Sequence, residues 1–161
     1  IDDYVDFVGK FAAITNAEST LSSYVDKVEA ARAVAQSEKP SPAPKVAVVM
    51  GGSGVSYVSG KDGFLASAIR VAGGEPVGAP GKKFVPLDPE VLAQNPPDIV
   101  IVPVDAAKKD EIGRAVDAVR NDPRMAAVPA VKNGKIVPFD GDVLLRKGSR
   151  VEKLIDGLHR A

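Results

Sequence analysis

Gly51, Gly52, Ser53 and Gly54 are the first residues whose types suggest chemistry. A glycine run after a strand can lay backbone amides around an anion. It is equally what a tight turn needs, or a loop kept small so that a bulky ligand can approach. The spacing argues against a nucleotide. There is no Gly-x-Gly-x-x-Gly and no Gly-Lys-Ser/Thr, and the next helical pattern does not open directly after the run. Asp140 and Asp142 lie two apart and read either as a metal or acid–base pair or as an acidic solvated turn, with no third ligand nearby. Arg146, Lys147 and Arg150 add positive charge to the same segment. Arg146 can meet an anionic ligand, because a guanidinium pairs with carboxylate through two hydrogen bonds, or it is surface charge.

The chain has a single histidine, His159, and no cysteine. One histidine cannot build a clustered-His zinc site, and its place near the end of a helical segment suits a cation facing the helix dipole. The lack of cysteine excludes disulfides, CxxC redox chemistry and thiolate metal sites. No catalytic constellation emerges, and no resident cofactor or metal is expected.

The elements that must position these residues follow from periodicity. Residues 2–14 carry Tyr4, Val5, Val8, Phe11 and Ala12 at helical spacing. Thr15 and Glu18 then read as a capping box opening a longer helix to about Glu38, with Leu21, Tyr24, Val25, Val28 and Ala31 on one face. Pro40, Pro42 and Pro44 stop it. Beyond them, the apolar runs at 45–50, 98–102 and 135–139 read as buried parallel strands. Helices are expected over 62–72, ended by Gly73-Gly74, from Asp88-Pro89-Glu90, from 105 or 106 to 120, and from a second capping box at Ser149 and Glu152. The alternation predicts an α/β fold, a mainly parallel sheet flanked by helices in three layers. In such sheets ligands meet the loops at the C-terminal strand ends, here 51–57, 103–108 and 140–148.

The chain has 161 residues, enough for one α/β domain, and 45% hydrophobic residues, which fits a globular core. Its 21 basic and 21 acidic residues cancel, leaving no electrostatic footprint for nucleic acid. No apolar run reaches the roughly 20 residues that span a bilayer. Ile1 is an unusual first residue and suggests a trimmed chain.

Four stretches carry a family resemblance. They are Val49 to Tyr57 with Gly60 to Leu65 and Val71 to Glu75; Leu87 to Leu92 with Asn95 to Val102; Val128 to Val137; and Leu144 to Leu158. Together they resemble the C-terminal lobe of helical-backbone (class III) solute-binding proteins, which deliver iron-siderophores, haem or cobalamin to ABC importers. The resemblance implies two α/β lobes joined by one long helix, with residues 1–44 as the connection and backbone helix and 45–161 as the second lobe, and with the N-terminal lobe absent. It implies an extracytoplasmic binding protein, periplasmic or lipid-anchored at the cell surface, whose partners are a permease and a bulky iron chelate, siderophore or haem. The alternatives are a cobalamin-binding member of the same family and a nucleotide- or phosphate-binding Rossmann-like domain. Met50 to Tyr57 resembles haem- and iron-acquisition members, making Tyr57 a candidate as phenolate to iron or as a ring stacked on a flat ligand; otherwise it is a packed aromatic at a strand edge. Ser53 and Arg146 are further ligand-binding candidates. The place of the axial histidine in some haem binders falls here at Asp105, a poor haem ligand beside imidazole. The family docks on its permease through an acidic side chain on each lobe, and Glu90 is the matching position here, although a first-turn glutamate also favours the helix dipole without any partner.

Overall fold

Residues 1–51 and 55–161 are described by the computed structural model. In chain order the elements are α1 (Asp2–Thr15), α2 (Glu18–Ser37), β1 (Lys45–Met50), β2 (Tyr57–Ser59), α3 (Phe64–Val71), β3 (Glu75–Val77), β4 (Phe84–Pro86), α4 (Pro89–Gln94), β5 (Ile99–Val104), α5 (Lys109–Arg120), α6 (Pro129–Lys132), β6 (Ile136–Asp140), α7 (Gly141–Leu144) and α8 (Val151–His159).

The strand residues sort by parity, because successive side chains on a strand point to opposite faces. Val46 and Val48 of β1, Ile101 of β5 and Phe139 of β6 join one core, which α2, α3, α7 and α8 cover. Ala47, Val49, Val100, Val102 and Ile136 join the other, covered by α4, α5 and α6. Both faces of the sheet are thus buried, and the expected three-layer α/β lobe with a long preceding helix is present. The strand order is β4-β2-β1-β5-β6, and β3 also pairs with β1. β1 runs parallel to β3, to β5 (Val46 opposite Ile99) and through β5 to β6 (Val100 opposite Ile136). β2 and β4 form an antiparallel extension on the last residues of β1, where Met50 faces Tyr57.

Local chemistry sets the boundaries. Asp88 accepts the Glu90 amide at 2.9 Å with Pro89 in the first turn, as expected of a cap. Gly73 sits at φ +100 just after α3. The expected capping box at Thr15 does not form. Thr15 is the last residue of α1 and its hydroxyl donates back to the Phe11 carbonyl at 2.8 Å, because the chain turns one residue later, at left-handed Asn16. The Ser149 box is replaced too: the Val151 amide donates to the Tyr24 hydroxyl at 3.4 Å, and Glu152 Oε2 is buried without a partner among the described residues. Helix α5 opens at Lys109, later than expected, because Asp105 first accepts the Ala107 amide at 3.1 Å and closes a turn. On α1, Tyr4, Val5, Val8 and Ala12 turn inward, but Phe11 joins Phe7 and Ile14 on an outer face, at 50%, 60% and 81% exposed.

Candidate functional site

β1, β5 and β6 run parallel and end at Met50, Val104 and Asp140, so their C-terminal ends open on one side of the sheet. Two open hollows lie there, of about 770 and 690 Å³, sharing Gly51, Pro103, Val104 and Asp105. They make one broad groove where parallel sheets place ligands.

Asp105, expected from the sequence, lines both hollows. Its second oxygen is 3.4 Å from Lys108 Nζ, which also reaches Glu111 at 3.3 Å. Glu111 and then Asp105 raise the pKa of that ammonium through hydrogen bonds. Arg146 lines the second hollow and pairs with Asp142 at 3.0 Å. Asp140 caps α7 by accepting the Asp142 amide at 2.8 Å. The two aspartates therefore have separate structural partners. Among the described residues no group of three or more His, Asp or Glu side chains is arranged to hold a metal. Lys147 is not at this rim as expected; its ammonium lies 5.6 Å from the centre of the Phe64 ring, a cation–π contact that draws it to another side of the molecule. Tyr57 lines neither hollow, is 39% exposed, and pairs with Met50, which lines the second. Ser53 lies outside the described residues. Glu90 is exposed in the first turn of α4 and borders a mostly apolar groove of about 380 Å³ with Leu92, Pro96 and Val128, which shares Arg124 with the first hollow.

A cluster that the sequence reading missed stands at the α5 side of the first hollow. Ser56 Oγ donates to Asp122 Oδ2 at 2.7 Å. Arg124 donates to the same carboxylate from Nε at 2.9 Å and from Nη2 at 2.7 Å, and its amide adds a third bond at 2.9 Å. The Asp122 side chain is only 7% exposed. The Arg124 hydrogen bonds hold its pKa down to about 2, helped by the Ser56 hydroxyl and opposed by burial. The two-residue spacing of Asp122 and Arg124 was visible in the sequence. Ser56, 66 residues earlier, was not visible as their partner.

The chain was compared with known proteins. The sequence profile of the periplasmic binding protein family matches residues 12–143. Similar solved structures include a periplasmic haem-binding protein, RhuT, from Roseiflexus sp. RS-1, at 25% identity and TM-score 0.77, covering 97% of this chain and 60% of that one. The periplasmic haem-binding protein HutB of Vibrio cholerae is similar at 26% identity and TM-score 0.76, covering 94% of this chain and 59% of that one. A protein of an ABC-type Fe3+-hydroxamate transport system from Saccharomonospora viridis shares the fold at 19% identity and TM-score 0.76, covering 99% of this chain and 53% of that one. The chain thus spans less than two thirds of the length of the proteins whose structures it matches. No curated protein sequence matches it. With a profile match over most of its length and the fold to go with it, the chain belongs to the periplasmic binding protein family.

Proposed function

We propose that this chain is the C-terminal, cargo-holding lobe of the extracytoplasmic binding component of an ABC importer for a bulky iron chelate, haem or ferric siderophore. The observation that carries the reading is the groove over the ends of β1, β5 and β6, in a chain of this family. Haem and Fe3+-hydroxamate are named for proteins of the same fold. The lobe holds its cargo and performs no reaction on it. Asp105 and Arg146 are its cargo-facing polar groups, and Tyr57 flanks them at the β2 edge. Residues 1–44 supply the connection and the backbone helix α2, and residues 45–161 the lobe. A companion N-terminal lobe closes over the groove, and the apolar outer face of α1 packs against it. Glu90 docks on an arginine of the permease. The full protein works outside the cytoplasm, in the periplasm or held at the cell surface by a lipid anchor. Titration with haemin, ferrichrome and cobalamin, followed by tyrosine fluorescence, tests the reading. Saturable binding of an iron chelate supports it, cobalamin binding alone shifts the cargo, and no binding to a two-lobe form overturns it.

A further inference from the structure

We propose that Tyr4 and Tyr24 are positioning residues for cargo binding: from the helical hairpin α1–α2 their hydroxyls fix the segment 145–148, the wall of the groove that follows β6 and α7. This role rests on the cargo reading above and deepens it.

Leu145 and Arg146 line the second hollow, and Leu145 is 44% exposed, an apolar surface for a bulky ligand. Local bonds hold this wall only in part. The Leu145 amide closes α7 on the Gly141 carbonyl at 2.9 Å. Arg146 pairs with Asp142, but both side chains are more than half exposed, where an ion pair adds little. No helix or strand runs from Leu145 to Val151. The other ties come from far away in the chain. The Tyr4 hydroxyl donates to the Gly148 carbonyl at 2.8 Å. The Tyr24 hydroxyl donates to the same carbonyl at 3.2 Å and accepts the Val151 amide at 3.4 Å. Burial first, then the Tyr4 hydroxyl, pushes the Tyr24 pKa up, so this donor keeps its proton at neutral pH. The Gly148 amide in turn donates to the Arg146 carbonyl at 2.9 Å, closing a three-residue turn. The hydroxyls hold Gly148, and Gly148 holds Arg146.

Neither tyrosine lines the groove. Tyr4 is itself held by rings on two other helices, edge-on to Tyr24 at 6.4 Å between centroids and to Phe64 at 6.0 Å. Lys147 lies over the same Phe64 ring at 5.6 Å. Lys147 and Gly148 are thus drawn onto α1, α2 and α3, which leaves Leu145 and Arg146 at the rim. A wall set in place before the ligand arrives has less freedom to lose on binding. A loose wall lowers the apparent affinity by the fraction of time it spends in place. The connection, residues 1–44, therefore shapes a groove that it does not line.

The double variant Tyr4→Phe/Tyr24→Phe keeps both rings and removes both hydroxyls. Backbone 15N relaxation reads the wall without any ligand. Order parameters over 145–148 are expected to fall from the rigid range, about 0.85, to below about 0.6, with those of β1 and β5 unchanged. Haemin and ferrichrome are then titrated into parent and variant. The probe that binds the parent is expected to bind the variant about tenfold more weakly, the scale of two hydrogen bonds. Each single variant reads the same loss in smaller measure should the double variant unfold. His159→Gln is the stability control. It also gives up two hydrogen bonds, beside Val46 and Ile99 at the opposite ends of the strands, and is expected to bind like the parent. Unchanged order parameters at 145–148 overturn the positioning role whatever the cargo. A loosened wall with parent-like affinity, or equal weakening in His159→Gln, overturns it and leaves the cargo reading standing. Failure of both probes to bind the parent overturns the cargo reading and, with it, the role in binding.

Discussion

Arg124 meets Asp122 through two nitrogens, Nε at 2.9 Å and Nη2 at 2.7 Å, and Ser56 closes the cluster at 2.7 Å from the same carboxylate. A carboxylate this buried is stable only while such donors stay in place. Replacing it as Asp122→Asn is expected to destabilise the lobe by about 2 kcal/mol at neutral pH, the scale of its depressed pKa. The sign follows from that depression. The contribution is fully present above the unfolded-state pKa of 3.8 and fades as pH falls toward about 2. Urea melts of parent and variant at pH 7 and near pH 2 check this; the gap between them narrows in acid.

His159 titrates in the opposite sense. Nδ1 faces the Ala72 carbonyl at 3.0 Å and Nε2 the Glu38 carboxylate at 3.1 Å. Both neighbours are acceptors, so only the imidazolium, with two N–H groups, serves both. The Ala72 carbonyl first, then Glu38, raises its pKa above 6.5, opposed by burial and Arg160. The resulting stability is present below 6.5 and is lost as pH rises through the raised value. His159→Gln is therefore expected to lower the melting temperature more at pH 5.5 than at pH 8.5. Equal losses at the two pH values would contradict it.

Gly157 lies in α8 where an added Cβ would stand 2.6 Å from Phe139 Cζ and 2.9 Å from Cε2. Alanine gains about 1 kcal/mol of helix propensity over glycine. Overpacking against a buried ring costs about 1–3 kcal/mol. The second effect wins because Phe139 is held in the core by β6, so Gly157→Ala is expected to lower stability. In a Phe139→Leu background, where the ring is gone, the same change becomes neutral or favourable. A double-mutant cycle by urea denaturation reads the coupling.

The main strands were legible because Val46 to Val49 and Ile99 to Val102 are continuous apolar runs with no polar interruption. The three-residue strands β2, β3 and β4 were not, since a run that short has no period to read. Asp88 announced its helix through a local rule that held. Thr15 and Ser149 obeyed the same pattern and were overruled by Asn16 and by the Tyr24 hydroxyl, the second a contact across more than a hundred residues. The site divides likewise. Asp105 entered only through the family resemblance, as the place of an axial histidine, and its position after β5 sets it on the wall of both hollows. The Ser56–Asp122–Arg124 cluster was not legible, because its third corner is set by tertiary packing rather than spacing.

Glu90 is exposed and caps nothing with its side chain, so its charge can be reversed at little cost to the fold. In a two-lobe form assayed with its permease, Glu90→Arg is expected to abolish uptake while cargo affinity stays within about twofold, the limit of a negligible change in binding free energy. Uptake at the parent rate would remove Glu90 from the docking surface.

The groove at the ends of β1, β5 and β6 is the centre of the account, and amide chemical-shift mapping tests it most directly. The labelled chain would be titrated with gallium analogues of ferrichrome, ferric citrate and haem, which are diamagnetic. The account predicts saturable shifts for at least one of them, clustered at Gly51, Val104, Asp105 and Gly141, with the amides of α1, Ser41 and Ala43 unmoved. Shifts confined to the face of α4, or saturable binding that leaves Gly51 and Asp105 unmoved, would contradict it.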